Sequence, residues 1–186
     1  MEPIKIYGHV AGSHPWKIII LLKELGVPYQ IEFLPAEEMK SGTIIEYLED
    51  MYDQDDKLKY SSFPEKHHQR NWKDYQIAGH DLFLGQKAYF TNAITSDMHH
   101  RNMVRWVLGV LGRHSAKTGH PYLVGDKCTY ADLMYIPFHL VLADKLMSNE
   151  KFPRCYEWNR RVVRRERVQQ ALEEKYQAMG AAGWPR

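Results

Sequence analysis

Two polar side chains, Ser13 and His14, stand immediately before Pro15 near the start of the chain. Proline suits the first position of a helix, so this pair lies where a helix is predicted to begin. A serine hydroxyl at such a place can cap free backbone N–H groups, or it can hydrogen-bond an anion that the helix N-terminus also attracts. The residues alone leave both roles open for Ser13 and His14.

Further residues that could do chemistry lie in three other places. Tyr7 ends a β-prone stretch, where its phenol could serve a site or its ring could pack on the core. Ser41 precedes a helical stretch, which suits either a plain N-cap or a hydroxyl that binds a carboxylate. Aromatic and imidazole side chains follow one face of a later helix, and these could form core or a substrate pocket: Trp72, Tyr75, His80 and Phe83.

The cysteines and histidines are not spaced as a metal site. Two cysteines, Cys128 and Cys155, are too few for a disulfide framework, and we expect both to be reduced core thiols. The histidine pairs at 67–68 and 99–100 are adjacent, so their side chains diverge on a helix and we expect no metal there. Glutamates surround the basic run at 160–167, which favours a solvated helix face over phosphate binding.

The elements that position these residues can be predicted from local patterns. Ile4 to Tyr7 is a short strand, a helix runs from about Pro15 to Leu25 and stops at Gly26, and Tyr29 to Phe33 alternates as a second strand. A second helix follows with one apolar stripe, and the polar stretch 53–66 is typical of an interdomain linker. The stripe consists of Ile44, Tyr47, Leu48 and Met51.

Beyond the linker the patterns predict only helices, about five of them, packed as a bundle. One long helix is expected to carry Trp72, Tyr75, Gly79 and Leu82 or Phe83. Four more are expected around the apolar positions of 104–111, 133–140, 155–163 and 168–179. The domains are therefore predicted as an α/β unit, residues 1–60, and an all-helical unit, residues 61–186.

Composition indicates a folded protein that works on small molecules. The chain has 186 residues, of which 44% are hydrophobic, enough for a real core. Its 25 basic and 23 acidic residues give a net charge of +2, so we expect neither nucleic acid nor membrane as a partner. The longest aliphatic run, Ile18 to Leu22, is too short to cross a bilayer, and the start does not resemble a signal peptide.

The sharpest local motif is Thr129 followed three residues later by Asp132, a variant capping box at the start of an apolar helix containing Pro137. With the stretches "GSHPWKIIILLKELGVPYQIEF", "SGTIIEYLEDMYD" and "LEEKYQAM", it resembles the cytosolic glutathione S-transferase family, most closely its fungal branch. The resemblance covers nearly the whole chain. It implies a thioredoxin-like βαβ domain, a helical bundle of the transferase type, a homodimer and a cytoplasmic location.

Part of the implied first domain is missing. Between Lys40 and Ser41 the family has a short helix, a strand entered through a cis-proline, a further strand and an acidic residue. The gap of about 25 to 35 residues, judged from the usual size of a half-domain, removes main-chain contacts to the cysteinyl part of glutathione. Either this chain lacks a segment through splicing or gene assembly, which we favour, or a minimal variant exists.

The resemblance also implies roles for the candidate residues. Ser13 matches the activating serine of the serine-type classes. His14, Ser41 and Tyr7 fall at glutathione-binding positions, and Tyr7 falls where other classes place a catalytic phenol. Lowering a thiol pKa by two units requires about 2.7 kcal/mol, which one hydroxyl donor and a helix N-terminus can supply. The face of Trp72, Tyr75, His80 and Phe83 would meet the second substrate.

Two classes of function follow from the resemblance. The first is a glutathione-dependent enzyme of fungal secondary metabolism, with glutathione as co-substrate and no metal, that conjugates an electrophilic small molecule or isomerises it from trans to cis. The second is a non-catalytic scaffold or regulator, as one fungal nitrogen regulator of this fold is. The missing segment, and Lys40 in place of the acid, favour the second class.

Overall fold

The computed structural model describes residues 2–34, 42–81, 96–142 and 151–184. A two-stranded parallel sheet opens the chain, with Ile6 of the first strand opposite Ile31 of the second. This arrangement confirms the predicted βαβ unit. The N-terminal elements are β1 (Ile4–Gly8), α1 (Ser13–Leu25), β2 (Tyr29–Phe33) and α2 (Gly42–Tyr52).

All further elements in the described ranges are helical, which confirms a truncated thioredoxin-like unit followed by a helical bundle. Helices predicted around 104–111, 155–163 and 168–179 are all present. In chain order the elements are α3 (Glu65–Tyr75), a π-helix (Gln76–Asp81), α4 (Ser96–Thr118), α5 (Tyr130–Leu133), α6 (Ile136–Leu142), α7 (Pro153–Val163) and α8 (Glu166–Ala181).

Helix α1 lies at the centre of the core. Every residue from Pro15 to Leu22 is buried, because the helix contacts β1 as well as α2, α5, α6 and α8. It ends as predicted at Gly26, whose left-handed φ of 72° is a conformation that glycine adopts at low cost. The helix that carries the candidate site is therefore held by both parts of the chain.

Helix α2 turns a different face to the core than the apolar stripe predicted. Ile45 and Leu48 are buried, whereas Ile44, Tyr47 and Met51 are exposed, Tyr47 by 57%. The stripe is therefore wrong as a buried face at three of its four positions. The packing of α2 on α1 decides which side is covered.

Two predicted helices are interrupted. The helix expected through Trp72 and Phe83 ends at Tyr75 and continues as a π-helix, and Leu82 and Phe83 lie outside the described residues. The helix expected over 133–140 is split into α5 and α6, so Pro137 is the second residue of a new helix rather than an interior one. A proline in the first turn has no hydrogen bond to lose, so the interruption removes its cost.

The capping box at the start of α5 is confirmed. The Asp132 carboxylate accepts hydrogen bonds from the Thr129 N–H at 2.9 Å and the Thr129 hydroxyl at 3.0 Å. It also accepts the Leu123 N–H at 2.9 Å and the Trp158 indole N–H at 2.8 Å. A fully buried carboxylate is tolerated here because four donors surround it.

The structure tests three further interpretations of the sequence. Cys128 and Cys155 are free and buried, as expected for core thiols. The polar stretch 53–66 packs more closely than a linker would, because Leu58 is fully buried. Within the basic run, Arg165 donates two hydrogen bonds to the buried Glu24, at 2.6 and 2.7 Å, so a wholly solvated face is wrong at that position.

Candidate active site

The loop between β1 and α1 is a compact turn braced from several sides. The Gly12 N–H donates to the His9 carbonyl at 3.0 Å, and the buried Trp16 indole N–H donates to the Val10 carbonyl at 2.8 Å. Gly8 lies so close to Pro15 that a Cβ on the glycine would be 2.7 Å from the proline Cβ. These contacts place the start of α1 directly at the end of β1.

Ser13 is the first residue of α1, two residues before the predicted start of this helix at Pro15. The N-cap is Gly12, which has no side chain and an extended backbone, so Ser13 does not take the capping role. Its hydroxyl donates to the Pro137 carbonyl at 3.5 Å, the long end of the hydrogen-bond range. Such a weak bond leaves the proton available to a stronger acceptor at the helix N-terminus.

His14 and Tyr7 lie on either side of this turn. The His14 ring meets Phe138 of α6 edge-on, with centroids 6.0 Å apart. Tyr7 stands opposite Glu32 in the sheet and is 42% exposed, so it does not pack into the core as a strand aromatic would. Ser41, the third predicted glutathione-binding residue, lies outside the described residues.

A buried lysine lies one helical turn after Ser13. Lys17 is 1% exposed, donates to the Gln76 side-chain oxygen at 2.9 Å and lies 4.6 Å from the centroid of Phe138. The Gln76 amide nitrogen has no hydrogen-bond partner among the described residues. Sequence reasoning missed this pair, although a charged residue within the apolar run of α1 is a usable signal.

The C-terminal helix reaches the same loop from another side. The Lys175 ammonium donates to the Ala11 carbonyl at 3.3 Å and lies 5.4 Å from the Trp16 ring centroid. Burial lowers the pKa of Lys175 to about 8. Trp184 meets the His9 ring edge-on at 5.4 Å. Sequence patterns gave no sign of these contacts, since each joins residues at opposite ends of the chain.

The aromatic residues predicted for a second-substrate pocket pack mainly among the helices. The Trp72 ring lies 4.5 Å from His114, and the Tyr75 ring lies 6.0 Å from Trp106, both on α4. Burial raises the pKa of Tyr75 to about 12. The side chain of His80 and all of Phe83 lie outside the described part of the chain. The turn that follows Tyr75 nevertheless meets α1, through Gln76 and Lys17.

No cluster of three His, Cys, Asp or Glu side chains within the described ranges is arranged to hold a metal ion. Within the same ranges, no helix has the length and apolar character that a membrane span requires.

Comparison with known proteins decides the family. Residues 84–175 match the sequence model of the "Glutathione S-transferase, C-terminal domain". The glutathione S-transferase-like protein OpS6 of Beauveria bassiana is 34% identical over 175 aligned residues, covering 76% of this chain and 80% of that protein. The chain belongs to the glutathione S-transferase family.

Alignments with other relatives cover nearly the whole length of this chain. Glutathione S-transferase 2 of Schizosaccharomyces pombe is 27% identical to this chain. The alignment covers 94% of this chain and 96% of that protein. That alignment runs over 224 positions, more than the 186 residues of this chain, so it contains gaps in the sequence of this chain. The similar proteins are fungal, as the sequence motifs suggested.

Solved structures of the family share the fold. The glutathione transferase URE2P6 from Phanerochaete chrysosporium, in complex with oxidized glutathione, superposes with a TM-score of 0.84 at 26% identity and covers 94% of this chain and 96% of its own. Ure2p in complex with glutathione gives a TM-score of 0.80 at 23% identity, covering 92% and 100%. The latter likeness concerns the fold alone.

Proposed function

We propose that this chain is a glutathione S-transferase-type enzyme in which Ser13 stabilises the thiolate of glutathione. The observation that carries the proposal is the place of Ser13, at the first residue of α1 with its hydroxyl on a weak bond to Pro137. A hydroxyl donor to a charged sulfur contributes about 1.5 to 3 kcal/mol, and a helix N-terminus about 0.3 to 1 kcal/mol. Both act on an anion at the same place.

Neighbouring side chains are proposed to complete the site. His14 and Tyr7 would contact glutathione from the two sides of the β1–α1 turn, and Ser41 would bind its γ-glutamyl carboxylate. Glutathione is then the co-substrate, as the complexes of similar transferases suggest. The chain would divide into an incomplete glutathione-binding domain, residues 1–60, and a helical domain, residues 61–186, that contributes the second-substrate pocket.

The second substrate is proposed to be an electrophilic small molecule of fungal secondary metabolism. The activated sulfur can attack an electrophilic carbon and remain bound, which gives a conjugate. It can also add to a conjugated double bond and leave after rotation, which isomerises the substrate from trans to cis and restores glutathione. Mass analysis of products distinguishes these routes: an adduct indicates transfer, and an isobaric product with catalytic glutathione indicates isomerisation.

A non-catalytic scaffold is the second candidate, and the exposed side of the N-terminal unit favours it. Tyr7 and Phe33 of the sheet are exposed, as are Leu34 just after β2 and Tyr47 and Met51 of α2. An open sheet edge with apolar neighbours is normally covered. Gaps in the alignments with longer relatives, and similarity to Protein URE2 of Candida glabrata, are consistent with a missing segment or with a regulator.

Calorimetry with glutathione tests the proposal on two forms of the protein. One is the 186-residue chain, and the other restores any in-frame genomic segment between Lys40 and Ser41. Losing two main-chain hydrogen bonds costs about 1 to 3 kcal/mol at typical net values, so we expect weak binding by the short form and recovery in the restored form. Tight binding by the short form would contradict the functional cost of the gap. Absence of any genomic segment would favour the scaffold.

A further inference from the structure

A small polar cleft lies between α2, the segment before α3, and α3 itself. Its volume is about 180 Å³, and its lining includes neither Ser13 nor any residue that contacts Ser13 in the described ranges. Acidic side chains of α2 form one wall and basic side chains of α3 form the other, while the Lys59 ammonium donates to the main-chain carbonyl of Glu49 at 2.8 Å. The acidic side chains are Glu46, Glu49 and Asp50, and the basic ones of α3 are Lys66 and Arg70.

Beside the cleft, one ion pair joins α2 to α3, but the charged residues about one turn further along these helices do not form a second pair among the described residues. Glu46 of α2 pairs with Lys73 of α3 at 2.6 Å. Asp50 lies one turn further along α2, and Arg70 lies about one turn earlier on α3. Among the described residues no ion pair joins Asp50 or Glu49 to Arg70. The space between these walls is the cleft.

Glu49 has an unused carboxyl oxygen in this wall. The residue is 4% exposed, and its Oε1 has no hydrogen-bond partner within the described part of the chain. The pKa of Glu49 is raised to about 10, mainly by burial and secondly by the neighbouring Asp53. The carboxyl therefore holds a proton at neutral pH. A buried polar atom without a partner is uncommon in proteins, and a donor that enters the cleft would satisfy it.

We propose that the cleft binds a small zwitterion of the α-amino acid type, with its ammonium group against Glu49 and Asp50 and its carboxylate against Arg70 and Lys66. Both signs of charge are needed because Asp50 lines one wall, whereas Lys66 and Arg70 line the other. An amine alone would leave the basic wall without a partner, and a carboxylate alone would face the acidic wall. The volume suits a small amino acid and excludes a peptide.

Binding of the ligand is expected to displace the proton from Glu49. An ammonium group beside Glu49 favours the ionised carboxylate, so binding near neutral pH releases a proton to the solvent. Among the other groups that face Glu49, burial raises the pKa of Tyr130. These other groups are Glu46 and Asp50 of α2, Asp53 just after α2, and Lys59, Lys66, Arg70 and Tyr130.

Isothermal titration calorimetry of the full chain with L-alanine at pH 7.5 tests the site. Repeating the titration in two buffers of different ionisation enthalpy counts the protons released, and we expect close to one per ligand bound. Alaninamide carries only the ammonium charge and propionate only the carboxylate. Each is expected to bind at least tenfold more weakly than L-alanine.

Variants separate the two walls. Glu49→Gln matches the protonated carboxyl in shape and resting charge, so it should fold, yet it should bind L-alanine at least tenfold more weakly and release no proton. Arg70→Met should weaken binding of L-alanine while leaving that of alaninamide unchanged. Glu65→Gln is the control, because this exposed carboxyl bonds Ser62 and does not line the cleft. Thermal unfolding checks that each variant is folded.

Some results would overturn the site. These are no saturable L-alanine binding, equal binding of alaninamide, or unchanged binding in both Glu49→Gln and Arg70→Met. Ser13→Ala should bind L-alanine normally, so the outcome does not depend on the proposed transferase activity. Competition by S-methylglutathione would identify its γ-glutamyl head as the source of the zwitterion, and absence of competition would identify a free amino acid.

Discussion

Gly8 and Pro15 are in contact at the junction of β1 and α1, and a Cβ on Gly8 would lie 2.7 Å from the Pro15 Cβ. Only a residue without a side chain permits this approach. We expect Gly8→Ala to lower the free energy of unfolding by about 1 to 3 kcal/mol, because the strand or the helix must shift. The shift would also displace Ser13 and weaken glutathione binding. Chemical denaturation and calorimetry measure the two effects.

Gly180→Ala is the matched control for that substitution. Apart from its chain neighbours and the backbone of its own helix α8, no atom of the described residues lies within 4 Å of a Cβ on Gly180. Alanine there should raise the free energy of unfolding by about 0.4 to 1 kcal/mol, since it restricts the unfolded chain. Equal losses of stability in both variants would argue against a specific contact at Gly8.

Ser13 is expected to control turnover in the form with the restored segment. Ser13→Ala should lower the rate with a generic electrophile by roughly 10 to 1,000 fold, because a hydrogen bond to the charged sulfur is lost. Ser13→Thr keeps a hydroxyl and should retain more activity than the alanine variant. Steady-state assays across pH are the measurement, and an unchanged rate in Ser13→Ala would remove this residue from the mechanism.

Arg165 and Glu24 join the two ends of the chain. Arg165→Met leaves the buried Glu24 without its two hydrogen bonds, so we expect a loss of stability of about 1 to 3 kcal/mol. This is less than for a fully buried pair because Arg165 is partly exposed. The exposed neighbour Arg164→Met should change stability by less than about 0.5 kcal/mol. Urea denaturation compares the two.

Lys175 is expected to make stability depend on pH. Burial lowers its pKa to about 8 in the folded protein, against an ordinary value of 10.5, so the unfolded chain binds more protons between these values. The contribution of Lys175 to stability therefore rises as the pH rises from about 8 to 10.5 and is lost as the pH falls through 8. Lys175→Met should remove this part of the slope in denaturation curves measured over that range.

A parallel series with Lys23→Met, a lysine that pairs with Glu174 nearer the surface, is the control. Its slope should match that of the unsubstituted protein. If Lys175→Met also retains the full slope, another group is responsible.

Tyr47 reports on whether a segment is missing. It is 57% exposed, so Tyr47→Ser should have little effect on the stability of the 186-residue chain. If restored residues cover this face of α2, the same substitution in the longer form should cost about 1 to 3 kcal/mol through lost burial. Differential scanning calorimetry of both pairs decides between a covered and an open face. Equal small effects would indicate that the face is open in both forms.

Local patterns in the sequence determined several elements of this protein. The strand, helix and strand at the start, the stop at Gly26 and the capping box of Thr129 and Asp132 were all predictable. Each depends on residues within a few positions of one another, whose backbone preferences and hydrogen bonds form whatever the rest of the chain does. The place of Ser13 beside the start of α1 belongs to this group.

Tertiary structure alone decided how those elements meet. Lys17 reaches Gln76 across 59 residues, Arg165 reaches Glu24 across 141, and Lys175 reaches Ala11 across 164. The packing of α2 on α1 and α3 also decides which side of α2 is buried. The same packing places Glu49 in the wall of the cleft. Such contacts depend on the relative placement of distant helices. Side-chain periodicity describes only one helix at a time, so no local pattern contains them.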